Sequence, residues 1–387
     1  MTETPARTLD LLSRLIGFDT VSRRSNLGLI EFAADFLAAR NGRVSVSRNA
    51  DGTKANLFAT VGPERDGGLL LAGHSDVVPV TGQDWTTDPF RASLRDGHVY
   101  GRGTCDMKGF IAVALALLDD LAKEKLSRPV HLALTYDEEV GCFGAAALAR
   151  LIAQMPARPR FGIVGEPTTM KVVNGHKGKL SLDCSVNGTE GHSAHNDRAV
   201  NAVEIAAEII VRLRAMQKRL AADRRDERFD PPFTTIHTGV IAGGVARNIV
   251  PRDCRLEIEI RNIPGEDPET LRREIESFAA TELLGEMRVV SPDAGIRFAV
   301  QSCIPALSPE AEDGLLQTAL SLSGANRPGV VSFATEAGLY QGAGVPSIVC
   351  GPGDIRQAHR PDEFVAVSQL DDCALFLRRM IQRFQAT

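Results

Sequence analysis

Four short apolar runs in this chain each end on a carboxylate or an imidazole. They are LLLAGHSD (69–76), VHLALTYDEE (130–139), FGIVGEP (161–167) and PSIVCGPG (346–353), the last running on to His359. In an open α/β sheet, ligands bind beyond the carboxyl ends of the strands. Four such strands would bring His74, Asp76, Glu138, Glu139, Glu166 and His359 to one edge. Imidazole nitrogens and carboxylate oxygens are donors that zinc accepts. A pair of ions bridged by one carboxylate could stabilise a nucleophile and a displaced charge together. No HExxH occurs, which argues against a single-zinc protease built on one helix. The residues point first to a hydrolytic metalloenzyme.

Taken singly, each signal has a plain structural alternative. His74 and Asp76 could be a buried structural pair, although alternation along an extended strand puts them on one side, where the carboxylate can orient the imidazole. Asp106 follows the glycine-rich YGRGTCDMKG stretch and precedes an apolar helix, so by itself it reads as an N-cap. Glu138 and Glu139 could be a surface acidic pair, and His359 a solvent-exposed loop histidine. Glu166, at the end of an apolar run and followed by Pro167, is harder to set aside. Together, two histidines and three carboxylates at successive strand ends favour the metal site.

The elements that must position these groups follow from periodicity. Residues 69–72, 130–135 and 161–164 are short, apolar and bounded by Gly, Pro or charge, as strands buried on both faces should be. Between the first two, GFIAVALALLDDL (109–121) has the length and alanines of an interior helix. From Lys179 the pattern changes to one-sided alternation (Leu180, Leu182, Cys184, Val186), then a helix over 199–217, strands over 234–241 and 255–261, and a helix from Pro268 to about 281. That order predicts a small α+β insert of split βαβ type with one wet sheet face. From about Arg288 the βα character returns and closes with a helix over 368–384.

Composition narrows the partners. A net charge of −5 without a Lys/Arg block leaves no electrostatic footprint for nucleic acid. The N-terminal residues read as an amphipathic helix rather than a signal peptide, and no apolar run reaches the length of a membrane span. Seven scattered cysteines without a CxxC pair suit a reducing compartment, so a cytoplasmic location is expected.

The stretches GHSDVVPV, YGRGTCDMKG, DEEVGCFGA, GEPT, EGHSAH, GGVARNIVP and GPGDIRQAHRPDE, in that order along nearly the whole chain, resemble the aminoacylase/carboxypeptidase family of co-catalytic zinc hydrolases. The resemblance implies an α/β fold: a mixed-sheet zinc-hydrolase catalytic domain (1–177 and 288–387) interrupted by a small α+β, ferredoxin-like dimerisation or lid domain (178–287). It implies two divalent ions, zinc before cobalt. Asp106 would bridge them, His74 and Glu166 would complete one shell, and Glu139 and His359 the other. Asp76 would orient His74. Glu138 would be the general base, taking a proton from the attacking water and returning it to the departing amine. His192, in EGHSAH, matches an oxyanion donor supplied by the insert of a neighbouring subunit, which implies a homodimer and a closing motion. His195 beside it reads as structural or exposed. Asn248 and Arg261 match positions that hold a substrate α-carboxylate, a task suited to the bidentate guanidinium. The alternative for Arg261 is a cross-strand partner of Glu257 or Glu259.

Within that family, GHKGKL (175–180), FATEAGLYQGAG (333–344) and the GPGxxxQAHxPDE ending are most similar to acetylornithine deacetylases. The implied partner is a small N-acyl amino acid, N2-acetyl-L-ornithine, cleaved to ornithine and acetate in arginine synthesis. Succinyl-diaminopimelate, N-acetylcitrulline or a dipeptide would use the same chemistry. Glu336 would either attract the side-chain ammonium of ornithine or hold its loop in place. A catalytically silent relative is disfavoured, since it has no need of all five ligands together with Glu138. Lys108, Lys177 and Lys179 read as surface or loop charges.

Overall fold

The computed structural model describes residues 3–309 and 314–386. They form two compact units. The first contains the described residues of 1–175, 307–330 and 335–387, and the second contains 176–306 and 331–334.

The first unit is built on an eight-stranded mixed sheet. Its order is Arg43–Arg48, Ala55–Val61, Val130–Thr135, Gly68–His74, Pro159–Pro167, Ser347–Gly351, Val173–His176 and Gly329–Val331. The central four (Val130–Thr135, Gly68–His74, Pro159–Pro167 and Ser347–Gly351) run parallel. The pairings on either side of them, to Ala55–Val61 and to Val173–His176, are antiparallel. The central strands are buried nearly throughout, which is why their sequences are continuous apolar runs instead of alternating ones. Because they run parallel, the carboxyl ends of all four lie along one sheet edge.

Helix Gly109–Leu121 is apolar on every side as far as Leu118, and twelve of its residues are buried. A helix of that kind must lie in the interior. It packs against Glu3–Ile16, Leu27–Ala38 and Val367–Ala386 as well as the sheet. Its Phe110 ring fills the space over Gly165, where an added Cβ would sit 2.0 Å from Phe110 Cγ. Gly165→Ala is therefore expected to cost about 1–3 kcal/mol through overpacking, read by chemical denaturation. An unchanged denaturation midpoint would show that the ring can yield.

The second unit carries a four-stranded antiparallel sheet in the order Thr235–Gly243, Asp253–Arg261, Lys179–Asn187, Gly295–Ile304. Buried and exposed positions alternate along Lys179–Asn187 and Asp253–Arg261. Leu180, Leu182, Cys184, Leu256, Ile258 and Ile260 pack beneath helices Ala202–Asp223 and Pro268–Phe278. Both helices start on side-chain caps: Asn201 accepts from the amides of Val203 and Glu204, and Asp267 accepts from Glu269, with Pro268 at the first helical position.

The boundary expected at 287 is corrected by this sheet. Strand Gly295–Ile304 pairs along Lys179–Asn187 and completes a βαββαβ, ferredoxin-like arrangement, so the insert extends to 306 instead of ending before 288. The alternation of Ile296, Phe298 and Val300 was a signal for a half-buried strand.

Candidate active site

His74 is the last residue of strand Gly68–His74 and is almost fully buried. Its Nδ1 faces the backbone carbonyl of Asp76 at 2.9 Å, a contact that only a protonated Nδ1 can make favourably. Nε2 is thereby left to face the site, the arrangement expected of an imidazole prepared for a cation. Asp76 also stabilises the next strand end. Its carboxylate accepts from the amides of Glu138 (3.0 Å) and Glu139 (3.4 Å) and from the Ser22 hydroxyl (2.8 Å). One residue thus fixes the imidazole, through its backbone carbonyl, and the turn after strand Val130–Thr135, through its carboxylate.

Asp106 stands between the two histidines. Its Oδ1 is 3.0 Å from His74 Nε2 and its Oδ2 is 3.5 Å from His359 Nε2. It does not cap the following helix. The segment Thr104–Lys108 leaves helical geometry at Asp106 and Met107, and no side-chain cap bond is made at Lys108, where helix Gly109–Leu121 begins. On the far side His359 Nε2 is 3.0 Å from Glu139 Oε2. Glu166, near the end of Pro159–Pro167, places Oε1 3.8 Å from His74 Nε2, and that buried oxygen has no hydrogen-bond partner among the described residues. One donor atom from each of His74, Asp106 and Glu139 lies within 4.8 Å of the others, and the same holds for His74, Glu138 and Glu166.

The electrostatics of this cluster are those of a site short of positive charge. Burial, reinforced by Glu139, Glu336 and Asp106, pushes the Glu138 carboxyl up to about 8. Burial and neighbouring carboxylates also raise Glu139 and, more strongly, Glu166. Asp106 goes the other way: burial opposes its charge, but hydrogen bonds to His359 and His74 outweigh that and hold it low. Hydrogen bonds to Asp106 and Glu139 carry the His359 imidazole up to about 10. For His74, burial disfavours the cation, yet Asp106 and Asp76 raise it well above its ordinary value.

Glu336 is placed differently from a substrate-facing carboxylate. It is fully buried, and its two oxygens accept from the Thr135 hydroxyl and, at 3.3 Å, from Tyr340. Of the two roles open to it, the geometry is that of a brace behind the strand end. Burial pushes its carboxyl up to about 7.

His192, Asn248 and Arg261 belong to the second unit. His192 is exposed, and its Nδ1 accepts from the Ala194 amide. The Ser193 amide donates to the Asn248 carbonyl at 3.1 Å, so His192 and Asn248 sit on two adjoining loops. His195 is exposed beside His192, with ring centroids 6.4 Å apart. Arg261 forms a bidentate pair with Glu259 on its own strand, at 2.6 and 3.2 Å.

Two lysines expected at the surface are interior. Lys108 is fully buried and donates to the Phe18 carbonyl at 2.8 Å; burial takes its ammonium down to about 7. Lys177, 1% exposed, donates to the carbonyls of Pro231 and Phe233. Lys179 is half-buried, 3.6 Å from Glu259. Two further buried residues, Arg102 and Glu363, lie within motifs whose candidate residues were read as Asp106 and His359 alone.

A sequence profile of the Peptidase family M20/M25/M40 matches residues 70–383. An acetylornithine deacetylase of Myxococcus xanthus is 37% identical over 384 residues, covering 96% of each chain. Among solved structures, a tripeptidase of Staphylococcus aureus shares the fold with a TM-score of 0.74 at 20% identity, covering 99% of both chains. The YXEP protein of Bacillus subtilis, described as a dinuclear metal binding peptidase of the M20 family, does so with a TM-score of 0.68 at 14% identity, covering both chains fully. With the profile spanning most of the chain and a relative this similar along nearly all of it, the protein belongs to peptidase family M20/M25/M40.

Proposed function

We propose that the protein is a metal-dependent deacylase that hydrolyses N2-acetyl-L-ornithine to L-ornithine and acetate, a step of arginine synthesis. The substrate rests on one observation, the 37% identity to the Myxococcus xanthus acetylornithine deacetylase over 96% of both chains. The reaction class is supported by the family and by the cluster at the strand ends.

The donor set fits two divalent ions, zinc first and cobalt second. Several carboxylates crowd around two imidazoles, one buried oxygen of Glu166 is without a hydrogen-bond partner among the described residues, and the carboxylates mutually oppose ionisation. Asp106, facing both imidazoles, would be shared; His74 and Glu166 would hold one ion, and Glu139 and His359 the other. Bound there, the ions supply Lewis acidity and lower the pKa of a water toward neutrality. Glu138 takes the proton from the attacking water and delivers it to the departing amine. A carboxyl drawn upward by burial is suited to carry a proton between these steps near neutral pH. Asp76 keeps His74 in the required tautomer.

In this reading His192 is an oxyanion donor, contributed across a homodimer, and Asn248 and Arg261 receive the substrate's α-carboxylate. Since Glu259 already occupies the Arg261 fork, a substrate carboxylate must replace Glu259 or share the guanidinium with it. All seven cysteines are free, which suits a reducing compartment, and the reading places the enzyme in the cytoplasm. Among the described residues, no helix is long and apolar enough to cross a membrane.

The test is a steady-state panel on the zinc- or cobalt-loaded protein: N2-acetyl-L-ornithine, N-acetylcitrulline, succinyl-diaminopimelate and a dipeptide. The highest kcat/KM is expected for N2-acetyl-L-ornithine. A clear preference for a neutral or acidic side chain would refute that substrate while leaving the reaction class standing.

A further inference from the structure

Arg102 and Glu363 are each 1% exposed and form an ion pair at 2.7 Å. Arg102 precedes Asp106 by four residues and Glu363 follows His359 by four. Glu363 Oε1 accepts from the backbone amides of Cys105 (2.8 Å) and Asp106 (3.0 Å), and Oε2 accepts from Gly103 (3.1 Å) and Arg102 Nη1. The carboxylate is therefore saturated by the loop that carries Asp106. Arg102 reaches the other way. Nη1 also donates to the Arg360 carbonyl (3.2 Å), and Nη2 donates to Gln83 Oε1 (2.6 Å). The Gln83 amide in turn donates to the His359 carbonyl at 2.9 Å. The guanidinium lies over Trp85, 5.0 Å from the ring centroid.

Neither loop is fixed by regular structure. The backbone departs from helical geometry at Asp106, and His359 has a positive φ of 63°. A buried ion pair is weak evidence for stability, because desolvation offsets its attraction. What this pair does provide is direction: a charged acceptor receiving several N–H groups and a planar guanidinium with its own carbonyl and amide partners define how two loops sit.

We propose that the Arg102–Glu363 pair is a positioning element of the metal site, setting the separation of Asp106 and His359 and with it the geometry in which they hold cations. The inference rests on the reading of those two residues as ligands. Groups that orient ligands from behind typically change metal affinity about 10–100-fold when removed.

The experiment titrates cobalt(II) into chelator-stripped protein, following stoichiometry, affinity and the visible absorption of the bound ion. Thermal unfolding of the same metal-free proteins is recorded alongside. Glu363→Gln replaces one accepting oxygen by an amide that faces donors. It is expected to weaken cobalt binding about 10–100-fold and to alter the absorption bands. A pair that serves stability alone would lower the metal-free melting temperature and leave affinity and spectrum unchanged, and that result overturns the proposal. If Glu363→Gln does not fold, Gln83→Ala decides. It removes the side chain that ties Arg102 and Trp85 to the His359 backbone at a partly exposed turn and leaves the Arg102–Glu363 pair itself in place; weakened binding supports the proposal and wild-type binding overturns it. Asp106→Asn distinguishes this from the ligand assignment. If that variant binds two equivalents with wild-type affinity, the assignment fails, whatever Glu363→Gln does.

Discussion

Glu138→Ala is expected to lower kcat by about 10²–10⁴-fold, the usual contribution of a general base, while two equivalents of metal still bind. That loss corresponds to about 2.7–5.4 kcal/mol of transition-state stabilisation. The reason for separating base from ligands is geometric. Glu138 and Glu139 share one turn, with both amides tied to Asp76, yet only the Glu139 carboxylate meets His359. Truncating Glu138 removes one of several mutually opposing carboxylates, so the variant should unfold at a temperature no lower than the parent. The assignment is lost if kcat is retained, and equally if metal stoichiometry falls with it.

The second large effect is removal of the metal. Chelation is expected to bring turnover to background, with recovery on adding zinc or cobalt, and metal binding should release protons. The sign follows from the directions of the shifts. In the ion-free site the His359 imidazolium persists to about 10 and the Glu138 carboxyl stays protonated to about 8, while His74, Glu139 and Glu166 are also raised. Near pH 7 several of these groups therefore carry protons that a cation must displace, so apparent affinity should strengthen as pH rises and weaken as it falls. Calorimetric titration in buffers of different ionisation enthalpy measures the proton count. Binding without proton release, or turnover that survives chelation, would contradict the proposed site.

The strand-borne part of this site was legible because parallel strands buried on both faces appear in the sequence as uninterrupted apolar runs. The polar residues that end those runs, His74, Glu138, Glu139 and Glu166, then stand out. Asp106 was harder to read, since a carboxylate before an apolar helix has a strong capping preference. What denies it that role is the local kink at Asp106 and Met107, with the loop amides taken up by Glu363, 257 residues away from Asp106. The same remoteness hid the buried lysines. Lys108 is satisfied by the Phe18 carbonyl and Lys177 by those of Pro231 and Phe233, and no local pattern announces such partners. Glu336 was recognised as a carboxylate near the site. Which way it points is decided by Thr135 and Tyr340, and Thr135 is 201 residues away. The end of the insert is a different case: the alternation through Ile296, Phe298 and Val300 was local and could have been read.

The two margins of the eight-stranded sheet bear on how the protein behaves when concentrated. A free strand edge is a template on which another chain can add a strand, and proteins blunt such edges with short strands or charge. One margin here is Arg43–Arg48, which begins and ends in exposed arginines, and the other is Gly329–Val331, only three residues long. Neither offers a long uncharged row of amides and carbonyls. The apolar strands that carry the candidate ligands thus lie inside this sheet, away from both of its edges, where no further strand can add to them.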